Sequence, residues 1–530
     1  MPIVSNKGIA AYNGTFGSKE IKHLLRRTQF GINRQDIVTY NGMTLNQVLS
    51  AILAMTPEPS PPLNHYESLI NPPTYKEPSI PLGTTWVNTT PLYPEINFHK
   101  VNSFKSWLAI NYYKDNSVIE KMTLFLHSFL PISHDANDPR HLYNNYKLLR
   151  ANALGNFKTL IKSCLLDSGI LKYLNGDVNQ KDAPDENLAR ELQELFTLGK
   201  GFTPIYNESD VKQVAKVLTG YTIDRTTGLV VFNPNRHDTT NKTFSVYYSN
   251  TVIAGKTGTS GKDELDDLVH MIFLKDDVAL HFCRKLYGFF VYYEIDSTVE
   301  ANVIVPLANI MRSNNYEILP VVQALFASDH FFDTDTYGSH IKSPLDFIFG
   351  QFKEMEIPLP SNADILQQYE VYAELFVASY VLRQSPYDPP NVSGWEAYYQ
   401  KPLLHQNWIT TDTISYRNKF SVYYIFGCTK RGYKIQADVI NFTKGFSNPS
   451  DPNVLINDAL NFLHTIPSTA DLRTHLKTIL LYGQAQDYYW TNAWDDHINN
   501  PTDTAKKKLV SDLLFLFYKY ILELAEYQLN

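Results

Sequence analysis

Residues 120–130 read Glu120-Lys-Met-Thr-Leu-Phe-Leu-His127-Ser-Phe-Leu130. Met122, Leu124, Phe125, Leu126, Phe129 and Leu130 set apolar side chains nearly all round a helical wheel, and a helix without a broad polar face has to be enclosed by other elements. Glu120 and His127 fall about 20° apart on that wheel, but two turns hold them about 10 Å apart along the axis, too far to share one metal ion. A histidine inside such a helix is commonly a core residue bonded to a backbone carbonyl or a carboxylate. The alternative is a catalytic His127, which His134 of Ile132-Ser133-His134-Asp135 could approach across the turn after Pro131.

Outward from this segment the pattern stays helical. Ser103–Tyr113, Ser117–Leu130, Tyr146–Cys164 and Asp185–Leu198 carry helical periodicity, with Pro131 stopping the second and Pro184 opening the last. Upstream, Ser18 can cap a helix from Lys19 to about Gly31, and another covers Leu45–Ala54. Ten prolines between residues 57 and 94 forbid helix there, so that stretch is expected to run as an extended arm anchored by Trp86, Tyr93 and Phe98. Downstream, Thr222-Ile223, Leu229–Phe232, Thr243–Tyr247 and Thr251–Ile253 predict a small antiparallel sheet or a pair of hairpins inserted in the helical body. Helices resume over Glu264–Lys275, Val278–Phe290, Thr298–Arg312, Glu317–Phe326, Pro344–Met355 and Ala363–Arg383. A loop from Gln384 to Trp408 follows, and Asp503–Leu529 closes the chain as an amphipathic helix.

The fold class is therefore mainly α: a multi-helix globular body with a small antiparallel β insert and a long Pro-rich arm. At 530 residues the chain is longer than a single core usually grows. The expected organisation is N-terminal helices at 1–56, the arm at 57–102, a main helical domain at 103–417 with the β insert at about 221–257, and a C-terminal helical region at 418–530.

Hydrophobic residues at 44% and charged residues at 19% describe an ordinary folded protein, and 35 Tyr with 29 Phe suit a well-filled core. A net charge of -7 with no basic run beyond Lys506-Lys507-Lys508 speaks against a nucleic-acid partner. Cys164, Cys283 and Cys428 form no CxxC pair, which excludes a zinc ribbon and a disulfide scaffold. No stretch reaches about 18 uninterrupted apolar residues, so no membrane span is expected. Residues 1–17 show no apolar signal segment, which points to the cytoplasm, with export alongside a partner as the other route.

Two further polar segments stand out. In Pro184-Asp-Glu186-Asn187-Leu-Ala-Arg190-Glu191-Leu-Gln-Glu194-Leu-Phe-Thr-Leu-Gly199, the polar residues occupy one arc of about 140° and Glu186, Arg190 and Glu194 form an i, i+4, i+8 ladder. A solvated face laced by ion pairs has this pattern. So does a buried carboxylate cluster, in which like charges raise one pKa and create an acid/base pair or a cation site. The turn Asn235-Arg236-His237-Asp238-Thr-Thr-Asn-Lys242 gathers three chemically able side chains in the β insert. Gly255-Lys256-Thr257 lacks the earlier glycine of a phosphate loop, and no HExxH, GxSxG or GxGxxG motif occurs.

Together these segments resemble the bacterial family catalogued as "domain of unknown function 1800". The resemblance runs through His23-Leu-Leu-Arg-Arg27 and Phe30-Gly31, Glu120-Lys-Met with His127, Arg150-Ala-Asn-Ala-Leu-Gly155-Asn-Phe157, and the whole of Glu186–Gly199. It continues through Asp210-Val with Leu218-Thr-Gly220-Tyr221, His237-Asp238 with Lys242, Arg284-Lys-Leu286 with Phe289-Phe290, Lys342-Ser-Pro344 and Pro389-Pro-Asn-Val-Ser-Gly-Trp395. That is roughly residues 18–417, in the family's order; no motif can be placed beyond them. Many relatives carry a second histidine where this chain has Phe129, so a site built on two histidines of that helix is not carried over. The resemblance implies no reaction. It implies a partner, because relatives are often encoded beside the family "domain of unknown function 1501", which is similar to sulfatases and alkaline phosphatases. A segment that defines a family is also less apt to be an arbitrary solvated face.

Two functions follow as expectations. One is a hydrolase-like enzyme whose pocket is lined by Glu186, Arg190, Glu191 and Glu194, with His127, His237, Asp238 and Lys242 as neighbours. There His23, Arg26 and Arg27 hold an anionic group, with Arg190 or Lys242 as further donors, and a divalent cation sits on the carboxylates. The other is a non-catalytic helical partner or maturation protein. Its polar motifs are then buried networks, and its loops at Gly394-Trp395, Tyr398-Tyr399 and Trp408 the contact surface. A pocket where the motifs converge separates the first from the second.

Overall fold

The computed structural model describes residues 6–90, 92–200, 206–361, 364–398 and 404–530. Met1, Pro91, Ala363 and Tyr399, on which expectations above rested, lie outside the described residues. Helices α1 (Ser18–Thr28), α2 (Arg34–Tyr40) and α3 (Leu45–Ile52) precede the Pro-rich arm. After it come α4 (Asn97–Lys114), α5 (Ile119–Phe129), α6 (Pro139–Ala151), α7 (Phe157–Cys164), α8 (Ser168–Tyr173), α9 (Asn187–Glu194) and α10 (Glu208–Val217). Hairpins β1–β2 (Tyr221–Ile223, Val230–Phe232) and β3–β4 (Lys242–Thr243, Val252–Ile253) interrupt the helices, both antiparallel, with Tyr221 opposite Phe232 and Lys242 opposite Ile253.

Next are α11 (Glu264–Phe273), α12 (Asp276–Phe290) and α13 (Ser297–Val299), which continues through a π-turn into α14 (Val305–Ser313). They are followed by α15 (Ile318–Phe326), α16 (Pro344–Glu354) and α17 (Ile365–Val381). The C-terminal region is α18 (Thr411–Phe426), a third hairpin β5–β6 (Cys428–Lys430, Tyr433–Ile435), then α19 (Val439–Lys444), α20 (Pro452–Leu463), α21 (Ala470–Leu480), α22 (Tyr488–Asn499) and α23 (Thr504–Glu523). The protein is mainly α with small antiparallel pieces. Most of its buried apolar residues form one cluster that runs from Ile21 to Tyr527, with a small second cluster of Trp395, Ala397 and Trp408. No helix among the described residues is long and apolar enough to cross a membrane.

Helix α5 is buried along all its residues, as its apolar wheel requires, and packs between α4, α6 and α12. The expected helix 146–164 is instead two. Chain reversal at Asn152–Gly155 ends α6, and the Asn156 side chain accepts from Thr159 N at 3.0 Å to start α7. Helix α1 begins one residue earlier than its expected cap, with the Gly17 N–H donating to Glu20 at 3.0 Å. The expected strand at 243–247 stops at Thr243, because Val246–Tyr248 is a 3-10 turn closed by Ser249 in the left-handed region.

The arm is bound down rather than loose. Trp86 is fully buried and donates from Nε1 to Ser103 Oγ at 3.0 Å, and Glu77 pairs with Lys100 of α4 at 2.8 Å, both buried. Phe98, expected as an anchor, stands 69% exposed on α4.

Candidate functional site

Each polar segment of the sequence has a definite place. On α1, His23, Arg26 and Arg27 are buried. Nε2 of His23 donates to the Phe331 carbonyl at 3.0 Å and the ring stacks on Tyr337. Arg26 pairs with Glu354 of α16 at 2.8 Å, and Lys342 reaches the other oxygen of that carboxylate at 3.5 Å. The Arg27 Nη atoms donate to the carbonyls of Val291, Thr336 and Asn530 and to Ser339 Oγ. These donors tie the N-terminal helix to the C-terminal half.

The turn bearing His237, Asp238 and Lys242 wraps around a carboxylate that sequence reasoning missed, Glu264 at the start of α11. His237 Nε2 lies 3.2 Å from Glu264 Oε1, Lys242 Nζ lies 2.6 Å from Oε2, and the Lys256 N–H donates to Oε1 at 2.7 Å. The other His237 nitrogen faces the Thr219 carbonyl at 3.0 Å. Burial pushes the Glu264 carboxyl up, but the hydrogen bonds from His237, Lys242 and the Lys256 amide outweigh it and hold the group below its usual value. The side chains of His237, Lys242 and Glu264 are closed off from solvent.

The α9 ladder faces outward. Arg190 lies 3.3 Å from Glu186 and makes two 2.8 Å bonds to Glu208 of α10, while Glu194 pairs with Lys200 at 3.1 Å. Glu191 turns inward; burial first and Glu194 second raise its carboxyl. Gly199, which closes the segment, is left-handed, and a Cβ there would fall 2.6 Å from the His281 ring. The glycine is fixed by that close approach to α12.

His127 leads elsewhere. Burial alone draws it down to about 3, so the ring is neutral; its Nε2 accepts the Tyr387 N–H at 2.9 Å and it stacks on the Tyr387 ring at 4.1 Å. The loop after α17 is thereby docked on α5, and Gly394 completes the docking, since a Cβ there would meet the Ser128 carbonyl at 2.7 Å. Tyr387 itself sits at φ +62°, an uncommon conformation for a bulky residue, held by contacts on both sides of its backbone. Its carbonyl accepts from the His134 N–H at 2.8 Å and lies 2.9 Å from His134 Nδ1.

Those contacts bring His134, Asp135 and Asp388 together at the wall of an open cleft of about 690 Å³ between α4 and α17. His134 Nε2 is 3.3 Å from Asp135 Oδ1, and Nδ1 is 3.7 Å from Asp388 Oδ1. Lys105 of α4 lines the same cleft and donates to Ser385 Oγ at 3.3 Å. Burial lowers the Lys105 ammonium against the opposing pull of Asp388 and Asp135. His65 and Glu370 stand 3.9 Å apart on the lining, and burial takes His65 down to about 4. Phe98, Val377 and Tyr380 form its exposed apolar rim.

The sequence did signal part of this site. Only His134 was singled out, as a residue that could approach His127, and its contacts go instead to Tyr387, Asp135 and Asp388; Asp388 immediately precedes Pro389-Pro-Asn-Val-Ser-Gly-Trp395. Lys105 and Ser106 gave no signal, since nothing in the helical pattern of α4 separates them from ordinary helix residues. The residues expected to line a pocket, on α1, on α9 and around His237, do not line this cleft.

A sequence profile for the family described as "Protein of unknown function (DUF1800)" matches residues 23–529. No curated protein and no solved structure matches the chain.

Proposed function

Because the chain belongs to the DUF1800 family, whose description assigns no reaction, we propose its function from the cleft: hydrolysis of a small anionic ester between α4 and α17. The observation that carries this reading is the convergence of His134, Asp135, Asp388 and Lys105 on one open cavity. The Tyr387 carbonyl fixes the His134 ring, as an orienting acceptor does for a working histidine. The group around His134 activates water, whose oxygen bonds to the ester's electrophilic centre as the leaving-group bond breaks and a proton passes to the leaving oxygen. Lys105 offsets the substrate's negative charge. The motif residues His127 and Gly394 act here through position, by holding the loop that carries Asp388.

A panel of p-nitrophenyl carboxylate, phosphate and sulfate esters tests this with the wild type, His134→Ala and Lys105→Met. At least one ester class should turn over, with kcat falling on the order of 100-fold or more in His134→Ala. No turnover of any class, or equal turnover in both variants, sinks the reading.

A second reading is favoured by the closed networks around Glu264 and Glu354. In it the chain is a non-catalytic partner of a phosphatase- or sulfatase-like protein of the family "domain of unknown function 1501", acting in the cytoplasm or exported with that protein. Stable co-purification that persists in His134→Ala, with no esterase activity, selects it.

A further inference from the structure

We infer that His134, Asp135 and Asp388 form a binding site for a divalent cation of the zinc or manganese class; this deepens the hydrolytic reading and rests on the same cleft. The tautomer of His134 is the starting point. A carbonyl oxygen can only accept, so at 2.9 Å from the Tyr387 carbonyl it is Nδ1 that carries the proton. A neutral ring then presents a lone pair at Nε2, and 3.3 Å from it lies Asp135 Oδ1. Two electron-rich atoms facing each other at that separation need positive charge between them, supplied either by a second ring proton or by a metal ion.

The surroundings favour the ion. Among the described residues no lysine or arginine comes within ion-pair distance of Asp135 or Asp388; Lys105 on the lining feels both carboxylates at longer range, but its hydrogen bond goes to Ser385. One ligand atom from each of the three residues lies within 4.8 Å of the others. Neighbouring ligands around an ion at about 2.0–2.2 Å stand roughly 3–3.5 Å apart; Asp135 Oδ1 and His134 Nε2 already have that separation, and Asp388, whose shortest approach to the ring is 3.7 Å at Nδ1, reaches it by turning its carboxylate toward Nε2. An independent feature of the wall points the same way. Ser106 lines the cleft, and its buried Oγ has no hydrogen-bond partner among the described residues, an unsatisfied polar atom in the cleft wall.

The ligand set selects the class of ion. One imidazole with two carboxylates suits zinc or manganese, whereas calcium and magnesium favour all-oxygen shells. Three protein ligands leave coordination positions open toward the cleft, the arrangement of a catalytic rather than a structural site. A cation so placed brings bound water toward neutrality in its pKa, which is the nucleophile the hydrolytic reading calls for.

The test is calorimetric titration of the chelator-treated full chain with ZnCl₂ and, separately, MnCl₂. The expected result is one site per chain, weakened at least about tenfold (about 1.4 kcal/mol) in each of His134→Ala, Asp388→Asn and Asp135→Asn, and unchanged in the surface control His270→Ala. Asp135→Asn keeps the test sound should the other two variants fold poorly, because that side chain is exposed. No saturable binding of either metal, or binding equal in all variants, overturns the site in favour of a protonated His134 between two aspartates. Metal binding without ester turnover leaves the cation site standing and removes the hydrolytic reading; turnover insensitive to chelator does the reverse.

Discussion

The network around Glu264 and the cleft at His134 are built from the same side chains, a histidine, acidic groups and a lysine, yet they are opposites. At Glu264 the side chains of His237, Lys242 and Glu264 are 0–1% exposed, and both carboxylate oxygens are met by donors. At His134 no lysine or arginine among the described residues stands within ion-pair distance of the carboxylates, and the histidine side chain keeps 24% of its surface. Residue type does not separate a strut from a site; the number of partners left to find does. A satisfied buried network resists change and binds nothing, whereas an under-satisfied one on a cavity wall is short of a ligand.

The largest expected effect comes from breaking the closed member of the pair. Glu264→Ala strands Lys242 and His237 in a sealed interior, and removing one partner of a buried ion pair costs about 3–5 kcal/mol. Denaturant unfolding should show a large fall in midpoint, most of it recovered in the double variant Glu264→Leu, Lys242→Met, which removes both charges. A Glu264→Ala protein as stable as the wild type would mean that the network is hydrated, and the contrast with the cleft would fail.

Next in size is a dependence on pH. Glu120 on α5 accepts from Tyr146 and Arg150 at 2.7 and 2.8 Å through Oε1, while its Oε2 has no partner among the described residues. Burial, with Asp115 adding to it, pushes this carboxyl up to about 7 despite Arg150. The folded state therefore binds this proton more tightly than the unfolded chain. Stability from this group is fully present below the unfolded value near 4.5 and is lost as pH rises through about 7. The loss amounts to about 3 kcal/mol at most. Thermal midpoints from pH 5 to 8 should fall in the wild type and fall less in Glu120→Gln. Equal slopes would show that Arg150 keeps Glu120 ionised throughout.

How much of this was legible in the sequence follows from the range of each interaction. The buried α5, the helix expected at 278–290 and found at 276–290, and the antiparallel β insert were readable because periodicity and turn residues are local. The break between α6 and α7 was not, because it depends on what Asn152–Gly155 packs against. Neither was the third hairpin at Cys428–Ile435, whose strands are three residues each. The polar motifs were found but their partners were not. Glu264 is 22 residues from Lys242, and Glu354 is 328 from Arg26. His127 meets Tyr387 across 260 residues. Spacing on a single helix holds no information at that range. Of the cleft only His134 drew notice, as a neighbour for His127, because Asp388 arrives on a distant loop and Lys105 on another helix.

The smallest expected effect falls on the α9 ladder, where the sequence pattern was most specific. Arg190 joins Glu186 and Glu208 at the surface, and the hydrogen bonds it donates to Glu208 are the first cause of its raised pKa. Solvent and salt screen such pairs, and holding two long side chains in one geometry offsets much of the attraction. Arg190→Ala should leave the thermal midpoint within experimental error and leave zinc binding at the cleft unchanged. A clear loss of stability would place the ladder with the closed networks. Loss of ester turnover or of partner binding in a stable Arg190→Ala protein would instead make this face a third kind of region, exposed and paired yet used. The contrast between satisfied and unsatisfied groups would then not be enough to find every working surface of the molecule.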